Sequence, residues 1–405
     1  MYDWLVIGGG IHGTYISNHL QKVAGFDAPK ILVVDPHEKP LAVWDRCTSS
    51  TRMKYLRSPS EHNLDVGTSA LKRYARAWSA ENFKDQYDRP SLNLFNNHCR
   101  HVIAAEALAD MRLKASALSI HPSANSYIIG TTSGAIESSR VIVSVGNADH
   151  LHYPEWTKAL PEKAPLVHVF APDSQSILNE NRQQVVIVGA GISGAQLALA
   201  LADQGDKNIT LVHSKPLTKR RFDADPCWLE QRCLNQLRRK KNYNDRRKLV
   251  DAARHSGSLP DDVHRHLILA TNDNLLKCRE GIIVEATFDG AYIHLRFDDG
   301  TTQAADLVVL ATGFQRGMHN SAFLQTAIEN LQLRHTSCRS PILDEYLRWH
   351  RGLFVTGSLA ELVVGPASRN IIGAKMAAQR ISAAVLPKRH RFKEESYFYF
   401  QRRRA

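Results

Sequence analysis

Two glycine-rich turns contain the residues whose types and spacing point to chemistry. The first, residues 8–13, reads GGGIHG and contains the pattern G-x-G-x-x-G. In this pattern Gly8 allows a tight turn, Gly10 lets a pyrophosphate approach the backbone, and Gly13 lets a helix pack closely on a strand. The N–H groups at the start of that helix attract phosphate. The turn predicts a dinucleotide-binding site, and the alternative is a glycine turn that binds nothing.

An acidic residue, Asp35, follows the first turn at the distance typical of ribose recognition. It ends the apolar run of residues 31–34, about twenty residues after Gly13. A carboxylate at this point accepts a hydrogen bond from a ribose hydroxyl and disfavours a phosphate on that hydroxyl. We therefore expect Asp35 to bind the ribose of the first nucleotide.

The second turn repeats the first after the apolar run of residues 185–188. Its three glycines are Gly189, Gly191 and Gly194. Ser214 and Lys215 stand where the acid would be. Hydroxyl and cationic groups favour a 2′-phosphate, and hence NADP over NAD. The alternative is a solvated basic loop.

Strands and helices must position both turns. Further apolar runs end near Gly146, Gly313 and Gly357, and the first two follow a hairpin with a glycine turn. We therefore predict an α/β fold with two Rossmann-like dinucleotide-binding domains, each with a small antiparallel β piece. Three other segments are interpreted as a short strand at residues 101–103, a linker at 148–182, and a basic, solvated helical surface at 226–270.

Composition restricts the class of protein. The 405 residues carry a net charge of +12, but no nucleic-acid-binding module is visible, so we expect no nucleic-acid partner. No apolar run reaches the roughly 18 residues of a transmembrane segment, and because a strand is predicted to begin by residue 4 we expect no signal peptide. Six scattered cysteines without C-x-x-C argue for a reducing, cytoplasmic location and against a metal site or redox dithiol.

The order of these motifs resembles the flavoproteins with two dinucleotide-binding domains. Within them the chain is similar to class B flavin-dependent monooxygenases, namely the lysine and ornithine N-hydroxylases and the flavin-containing monooxygenases. The segment from Asp306 to Phe314, with LATGF at its end and His319 beyond it, resembles the D-xxx-L-ATG-Y motif of the N-hydroxylases. Two departures are Phe314 in place of tyrosine and Thr356-Gly357-Ser358 in place of Gly-Asp.

This resemblance implies FAD at the first turn and NADPH at the second. It divides the chain into residues 1–170, the first part of the FAD-binding domain; 181–303, an inserted NADPH-binding domain; 304–387, the second part of the FAD-binding domain; and 388–405, a basic tail.

The resemblance also implies a reaction. NADPH would reduce FAD, molecular oxygen would form a C4a-hydroperoxyflavin, and one oxygen atom would pass to an amine or sulfur (thioether) of a small-molecule substrate. For catalytic support we single out Arg57, His62 and Asn63 on a loop expected beside the flavin. The candidates for cofactor binding are Gly8, Gly10, Gly13, Asp35, Trp44, Gly146, Gly189, Gly191, Gly194, Ser214, Lys215, Gly313, Gly357 and Asn370, with His319 as a weaker candidate for the site.

Three other functions remain open at this point. The chain could be an NAD(P)H-dependent flavoprotein reductase or electron carrier without oxygenation, an amine or amino-acid oxidase, or a flavin-bound redox sensor that engages an acidic partner. The sequence indicates neither the substrate nor the oligomeric state.

Overall fold

The computed structural model describes residues 1–78, 82–205, 207–315 and 322–386. The strands are β1 (Trp4–Ile7), β2 (Ile31–Asp35), β3 (Phe83–Lys84), β4 (Arg89–Pro90), β5 (Arg112–Lys114), β6 (Ala117–Pro122), β7 (Tyr127–Thr131), β8 (Gly134–Ser138), β9 (Val141–Val143), β10 (Leu166–His168), β11 (Gln184–Val188), β12 (Asn208–His213), β13 (Lys277–Glu280), β14 (Ile283–Phe288), β15 (Ile293–Phe297), β16 (Thr302–Ala305), β17 (Leu307–Leu310), β18 (Arg348–His350) and β19 (Leu353–Val355). The α-helices are α1 (Ile11–Lys22), α2 (Ala42–Ser50), α3 (Ala70–Ala77), α4 (Leu92–Ala105), α5 (Ser174–Leu178), α6 (Ile192–Ala202), α7 (Gln231–Arg239), α8 (Tyr243–Ala253), α9 (Asp261–Asn272), α10 (Ala322–Leu331), α11 (Glu361–Val364) and α12 (Ile371–Val385).

Six strands form the first sheet, in the order β18-β19-β9-β1-β2-β5. All of them run parallel except β18, which pairs antiparallel with β19 at the edge. Every residue of β1 and β2 is buried, as expected for parallel strands that are covered on both faces. Helix α1 packs on β1, β2 and α12. The sheet therefore places the end of β1 and the start of α1 next to each other.

The second sheet contains five parallel strands in the order β10-β17-β11-β12-β13. Helix α6 packs against β11, β12 and α9. Strands β10 and β17 lie outside the range 181–303 that was predicted for the second domain, although they pair within its sheet. The reason is that the backbone of β17 is fully paired between β10 and β11, a long-range pairing that local patterns do not specify.

Each large sheet has a small antiparallel companion, β6-β7-β8 for the first and β14-β15-β16 for the second. The predicted α/β architecture with two similar halves is therefore confirmed. None of the helices in the described ranges has the length and apolar character needed to cross a bilayer.

Residues 101–103 are helical, so the interpretation as a strand was wrong. They belong to α4, whose first turn is capped by the Ser91 hydroxyl accepting from the Leu94 N–H at 3.2 Å. The buried residues Leu94, His98 and Val102 recur at helical spacing. A β-branched pair at 102–103 has strand propensity by itself, but the packing of this helical face decides the structure.

The segment at 148–182 is also more than a linker, because it contains β10 and α5. The basic segment at 226–270 is helical as predicted, with α7, α8 and most of α9.

Candidate functional site

The first glycine turn closes tightly between β1 and α1. Gly8 has φ +104°, and a Cβ there would lie 2.8 Å from the Ser144 carbonyl oxygen. A Cβ on Gly13 would lie 1.8 Å from the Gly8 carbonyl oxygen. Gly10, by contrast, has no atom within 4 Å of its Cβ position. The turn therefore leaves open space beside the N-terminus of α1, which fits a pyrophosphate.

Asp35, the last residue of β2, lies directly beside this turn. Its carboxylate accepts a hydrogen bond from the Gly9 N–H at 2.6 Å and another from the His37 N–H at 2.9 Å. The Arg112 guanidinium lies 3.4 Å from the same carboxylate, and burial lowers the pKa of Arg112. These contacts hold the carboxylate at the edge where a ribose would lie. Its role in ribose binding stays a prediction.

Two further predicted residues reach the same edge of the first sheet. Gly146 follows β9 and Gly357, with φ +66°, follows β19. The Ser144 hydroxyl donates to the Gly8 carbonyl at 2.7 Å, which ties the end of β9 to the glycine turn. The Ser358 hydroxyl donates to Asn147 Oδ1 at 2.7 Å. Parallel strands end at one edge, so residues far apart in sequence meet there.

His12, which was not predicted as a site residue, links three segments at this edge. Its Nε2 donates to the Asn370 carbonyl at 3.1 Å, so its Nδ1 accepts from the Thr356 hydroxyl at 2.8 Å. Burial lowers the pKa of His12 to about 4 and keeps the imidazole neutral. The available signal was a polar residue between Gly10 and Gly13, in the first turn of α1.

The second glycine turn has the same geometry. Gly189 has φ +107°, and a Cβ there would lie 2.6 Å from the Ala311 carbonyl oxygen. A Cβ on Gly194 would lie 1.9 Å from the Gly189 carbonyl oxygen. A Cβ on Gly191 would make only an ordinary van der Waals contact, 3.7 Å from Gly257 Cα. Gly313, with φ +78°, follows β17. Because β17 pairs with β11, Gly313 lies at the same edge of the sheet as the second turn.

Ser214 and Lys215 are exposed immediately after β12, next to the second turn. The His213 ring donates from Nδ1 to the Lys215 carbonyl at 2.9 Å, which fixes the start of this loop. An exposed cation at the end of β12 fits a 2′-phosphate on an adenosine ribose. The coenzyme preference of these two residues stays a prediction.

A cavity of about 370 Å³ joins the two turns. Ile11 and His12 at the start of α1 and Ile192 at the start of α6 all face it. Most of its wall is apolar. The remaining lining residues are Trp44, Met53, Leu56, Arg57, Ser58, Pro59, His62, Phe222, Asp223, Ala224, Asp225, Pro226, Trp228, Leu229, Ala367, Arg369, Asn370, Ile371 and Ile372.

Arg57 lines the cavity, but its guanidinium is engaged across the domain interface. It donates to the carbonyls of Arg221 at 2.9 Å, Arg220 at 2.6 Å and Ser258 at 3.2 Å, and to the Ser258 hydroxyl at 2.9 Å. Burial lowers its pKa. The geometry makes Arg57 a connector between the first domain and the basic loop that follows Lys215.

The other loop candidates are placed differently from one another. His62 faces the cavity, and burial together with Lys375 lowers its pKa to about 3, so the ring is neutral. Asn63 does not line the cavity: its amide nitrogen, with two N–H donors, lies within 3.4 Å of four loop carbonyl oxygens, including that of Ser60 at 3.1 Å. Trp44 lines the cavity edge and donates to Asn96 Oδ1 at 2.9 Å.

The segment of residues 222–229 supplies one wall of the cavity and carries a disulfide. Cys227 and Cys233 are bonded across the turn that leads into α7. This bond was not expected from the six scattered cysteines, which favoured a reducing location. A sequence separation of six residues does not fit the C-x-x-C pattern, so the spacing of the cysteines did not indicate this bond.

The basic segment is also only partly a solvated surface. Arg247 and Arg254 of the α8 region point inward to Glu361, which is 1% exposed. Arg369 approaches the same carboxylate at 2.8 Å. The arginines lower the pKa of Glu361 although burial opposes them. This cluster ties α8 to the loop before α12 and so supports the cavity wall.

Two predictions cannot be placed. His319 and the basic tail at 388–405 lie outside the described residues.

A sequence profile of the family described as pyridine nucleotide-disulphide oxidoreductase matches residues 5–345. No curated protein sequence matches the chain.

Solved structures with the same fold include enzymes of two kinds. The ornithine N-hydroxylase of Kutzneria sp. 744, solved with reduced FAD, NADP⁺ and L-ornithine, aligns with a TM-score of 0.77 and 12% identity over 95% of this chain and 98% of its own. The L-lysine 6-monooxygenase of Pseudomonas syringae aligns with a TM-score of 0.73 and 16% identity over 95% and 99%. The bacillithiol disulfide reductase of Staphylococcus aureus aligns with a TM-score of 0.60 and 14% identity over 95% and 99%.

Proposed function

Because the chain belongs to the pyridine nucleotide-disulphide oxidoreductase family, we propose that it is an FAD- and NADPH-dependent monooxygenase that hydroxylates the amine nitrogen of a small molecule. In this reaction NADPH supplies two electrons, one atom of O₂ joins the nitrogen, and the other leaves as water. The observation that carries the proposal is the single cavity shared by the starts of α1 and α6. A substrate in it would contact both nucleotide sites.

Each glycine turn binds one dinucleotide in this proposal. Gly10 faces open space and Gly191 makes only an ordinary contact, with Gly257 Cα 3.7 Å from its Cβ position, so backbone N–H groups at the starts of α1 and α6 can approach the two pyrophosphates. Asp35 binds the ribose of FAD, and Lys215 binds the 2′-phosphate of NADPH. When bound, FAD supplies the redox chemistry, namely acceptance of a hydride from NADPH and activation of oxygen.

The cavity residues then control the environment of the reaction. Side chains such as Leu56, Trp228 and Ile371 exclude water, which protects reactive species from side reactions. His12 and His62 are neutral, and the two arginines of the wall are engaged elsewhere, Arg57 with backbone carbonyls and Arg369 with Glu361. Asp223, also on the wall, accepts from the Asn370 amide at 3.1 Å and presents a carboxylate to a cationic substrate.

We propose an amine in preference to a thioether. Two of the similar structures are named for amino acids with a side-chain amine, ornithine and lysine. An acidic group on the cavity wall is also better suited to an ammonium group than to an uncharged sulfur.

The test is oxygen transfer from labelled oxygen. The full chain, supplied with FAD and NADPH under ¹⁸O₂, is incubated with a panel of diamines and basic amino acids. We expect one class of amine to gain a single ¹⁸O atom with matching NADPH consumption. NADPH consumption that yields only hydrogen peroxide with every amine would contradict the proposal.

A second candidate is an NADPH-dependent disulfide reductase. It is favoured by the similarity to the bacillithiol disulfide reductase and by the disulfide beside the cavity. Under anaerobic conditions a reductase would oxidise NADPH upon addition of a low-molecular-weight disulfide, whereas a monooxygenase would stop after one reduction of its flavin.

A further inference from the structure

A second cavity lies at the opposite edge of the first sheet. It has a volume of about 630 Å³ and is bordered by Arg140, which precedes β9, and Gly352, which precedes β19. Both positions are at the amino ends of parallel strands. The glycine turn lies at the carboxyl ends, where nucleotides bind in such sheets. This cavity is therefore separate from the proposed FAD site.

The walls of this cavity carry positive charge. Arg140, Arg348 and Arg351 line it together with His350, whereas none of the described lining residues carries a carboxylate. In the described part of the chain, neither Arg140 nor Arg351 forms an ion pair. Two acids outside the lining contact lining residues: Asp344 lies 3.8 Å from Arg348, and Glu137 accepts from the Ser126 hydroxyl.

Aromatic rings hold two of the arginines in place. The Arg140 guanidinium lies over the Trp4 ring at 5.3 Å, and the Arg348 guanidinium lies over Phe354 at 5.7 Å. Trp4 is fully buried and Phe354 is 1% exposed, so both rings are fixed by the core. A guanidinium attracted to the face of a ring keeps N–H groups available to a ligand. The arginines are thus oriented before any ligand arrives.

The neighbouring Tyr127 fixes the third arginine's backbone. Its hydroxyl donates to the Arg351 carbonyl and therefore accepts from His350 Nδ1, 2.7 Å away. Burial raises the pKa of Tyr127 to about 12, so the hydroxyl keeps its proton. The other ring nitrogen of His350, Nε2, lies on the side of the ring away from the Tyr127 hydroxyl.

We propose that this cavity is a binding site for a small polyanion whose phosphate or carboxylate groups are held by Arg140, Arg348 and Arg351. Guanidinium groups bind such oxyanions through paired N–H donors, with shorter and stronger hydrogen bonds than neutral groups make. The volume lies in the usual range for small-molecule sites, roughly 300–1,000 Å³. The inference is independent of the proposed oxygenation.

The experiment is isothermal titration calorimetry of the full chain with two probes, inorganic pyrophosphate and citrate. Excess FAD and NADP⁺ are present throughout, so that the two nucleotide turns cannot account for the heat. Comparison of the probes distinguishes a phosphate ligand from a carboxylate ligand. We expect at least one of them to bind saturably.

Two variants locate the binding. Arg351→Gln removes a charge from an exposed side chain. Arg140→Lys keeps the positive charge but removes the paired N–H donors of the guanidinium. We expect each to weaken binding about tenfold or more, because a hydrogen bond to a charged group contributes roughly 1.5–3 kcal/mol. The control is Arg296→Gln, which removes an exposed arginine on β15 that pairs with Glu285. Equal affinity in Arg351→Gln and wild type, or no binding of either probe, would overturn the proposal.

Discussion

The Asp35 carboxylate accepts a hydrogen bond from the Gly9 N–H at 2.6 Å, so the acid that ends β2 and the first glycine turn form one unit. This contact orients the carboxylate toward the proposed ribose position without any ligand. We expect Asp35→Asn to weaken FAD binding about tenfold, since one charge-assisted hydrogen bond contributes roughly 1.4 kcal/mol or more. The measurement is flavin fluorescence during titration of the apoprotein. Asp27→Asn, on an exposed loop before β2, is the control and should bind FAD normally.

Lys215 is the residue expected to determine whether the protein prefers NADPH or NADH. If it binds the 2′-phosphate, Lys215→Glu should raise the KM for NADPH about tenfold or more and leave the KM for NADH almost unchanged. Steady-state kinetics with both coenzymes measure this difference. Lys158→Glu, an exposed lysine paired with Glu155, should change neither value. A similar rise in KM for both coenzymes would contradict the assignment of Lys215 to the 2′-phosphate.

Arg57 is expected to act as a positioning residue. Lysine at this position has one ammonium group and cannot reach the Arg220, Arg221 and Ser258 carbonyls together, so Arg57→Lys should loosen the loop next to Lys215. We expect a several-fold higher KM for NADPH with an unchanged FAD affinity. Arg52→Lys is a matched control from the same loop, because Arg52 makes one exposed contact, to Asn179 at 3.4 Å. A loss of kcat with an unchanged KM would instead indicate a direct role in catalysis.

Much of the site was predictable because both glycine turns sit between a buried strand and a helix. This local pattern placed Asp35 at the end of β2, and Gly8, Gly189 and Lys215 just after β1, β11 and β12. His12 was missed although it lies inside the motif, since its function depends on Thr356 and Asn370, more than 340 residues away. Contacts of that range come from parallel strand order, which local periodicity does not encode.

The same reasoning explains the errors in the middle of the chain. A glycine follows β17 shortly after its end, as one follows β9, so the local sequence does not indicate which of the two sheets β17 joins. The pairing with β11 decides the matter. The Cys227–Cys233 disulfide and the burial of Arg247 against Glu361 likewise depend on how α7 and α8 fold back on α11.

Buried neutral histidines should make the fold sensitive to acid. Burial lowers the pKa of His19, His98 and His168 from 6.5 to about 4. Between these two values the unfolded chain takes up protons that the folded chain does not, so stability falls as the pH falls. We expect a loss of about 1 kcal/mol for each such histidine at pH 5.5. Thermal unfolding between pH 7.5 and 5 measures the trend, and a Tm that rises on acidification would contradict it.

The disulfide between Cys227 and Cys233 should stabilise the cavity wall that Trp228 belongs to. Trp228 is 5% exposed and a Cβ on Gly365 would lie 3.2 Å from its ring, so the turn that the disulfide closes packs directly on the loop before α12. We expect Cys227→Ser with Cys233→Ser to lower the free energy of unfolding by about 2 kcal/mol, the order estimated for closing a short loop.

Denaturant titration with and without dithiothreitol measures this effect. The reductant should destabilise the wild type to the level of the double variant and leave that variant unchanged. Cys278→Ser, which removes a cysteine outside the disulfide, is the control and should keep the response to reductant. The double variant should also bind substrate more weakly while retaining FAD, because Trp228 faces the cavity but lies outside both glycine turns. Equal stability of the wild type in both conditions would mean that the two thiols are not bonded in solution.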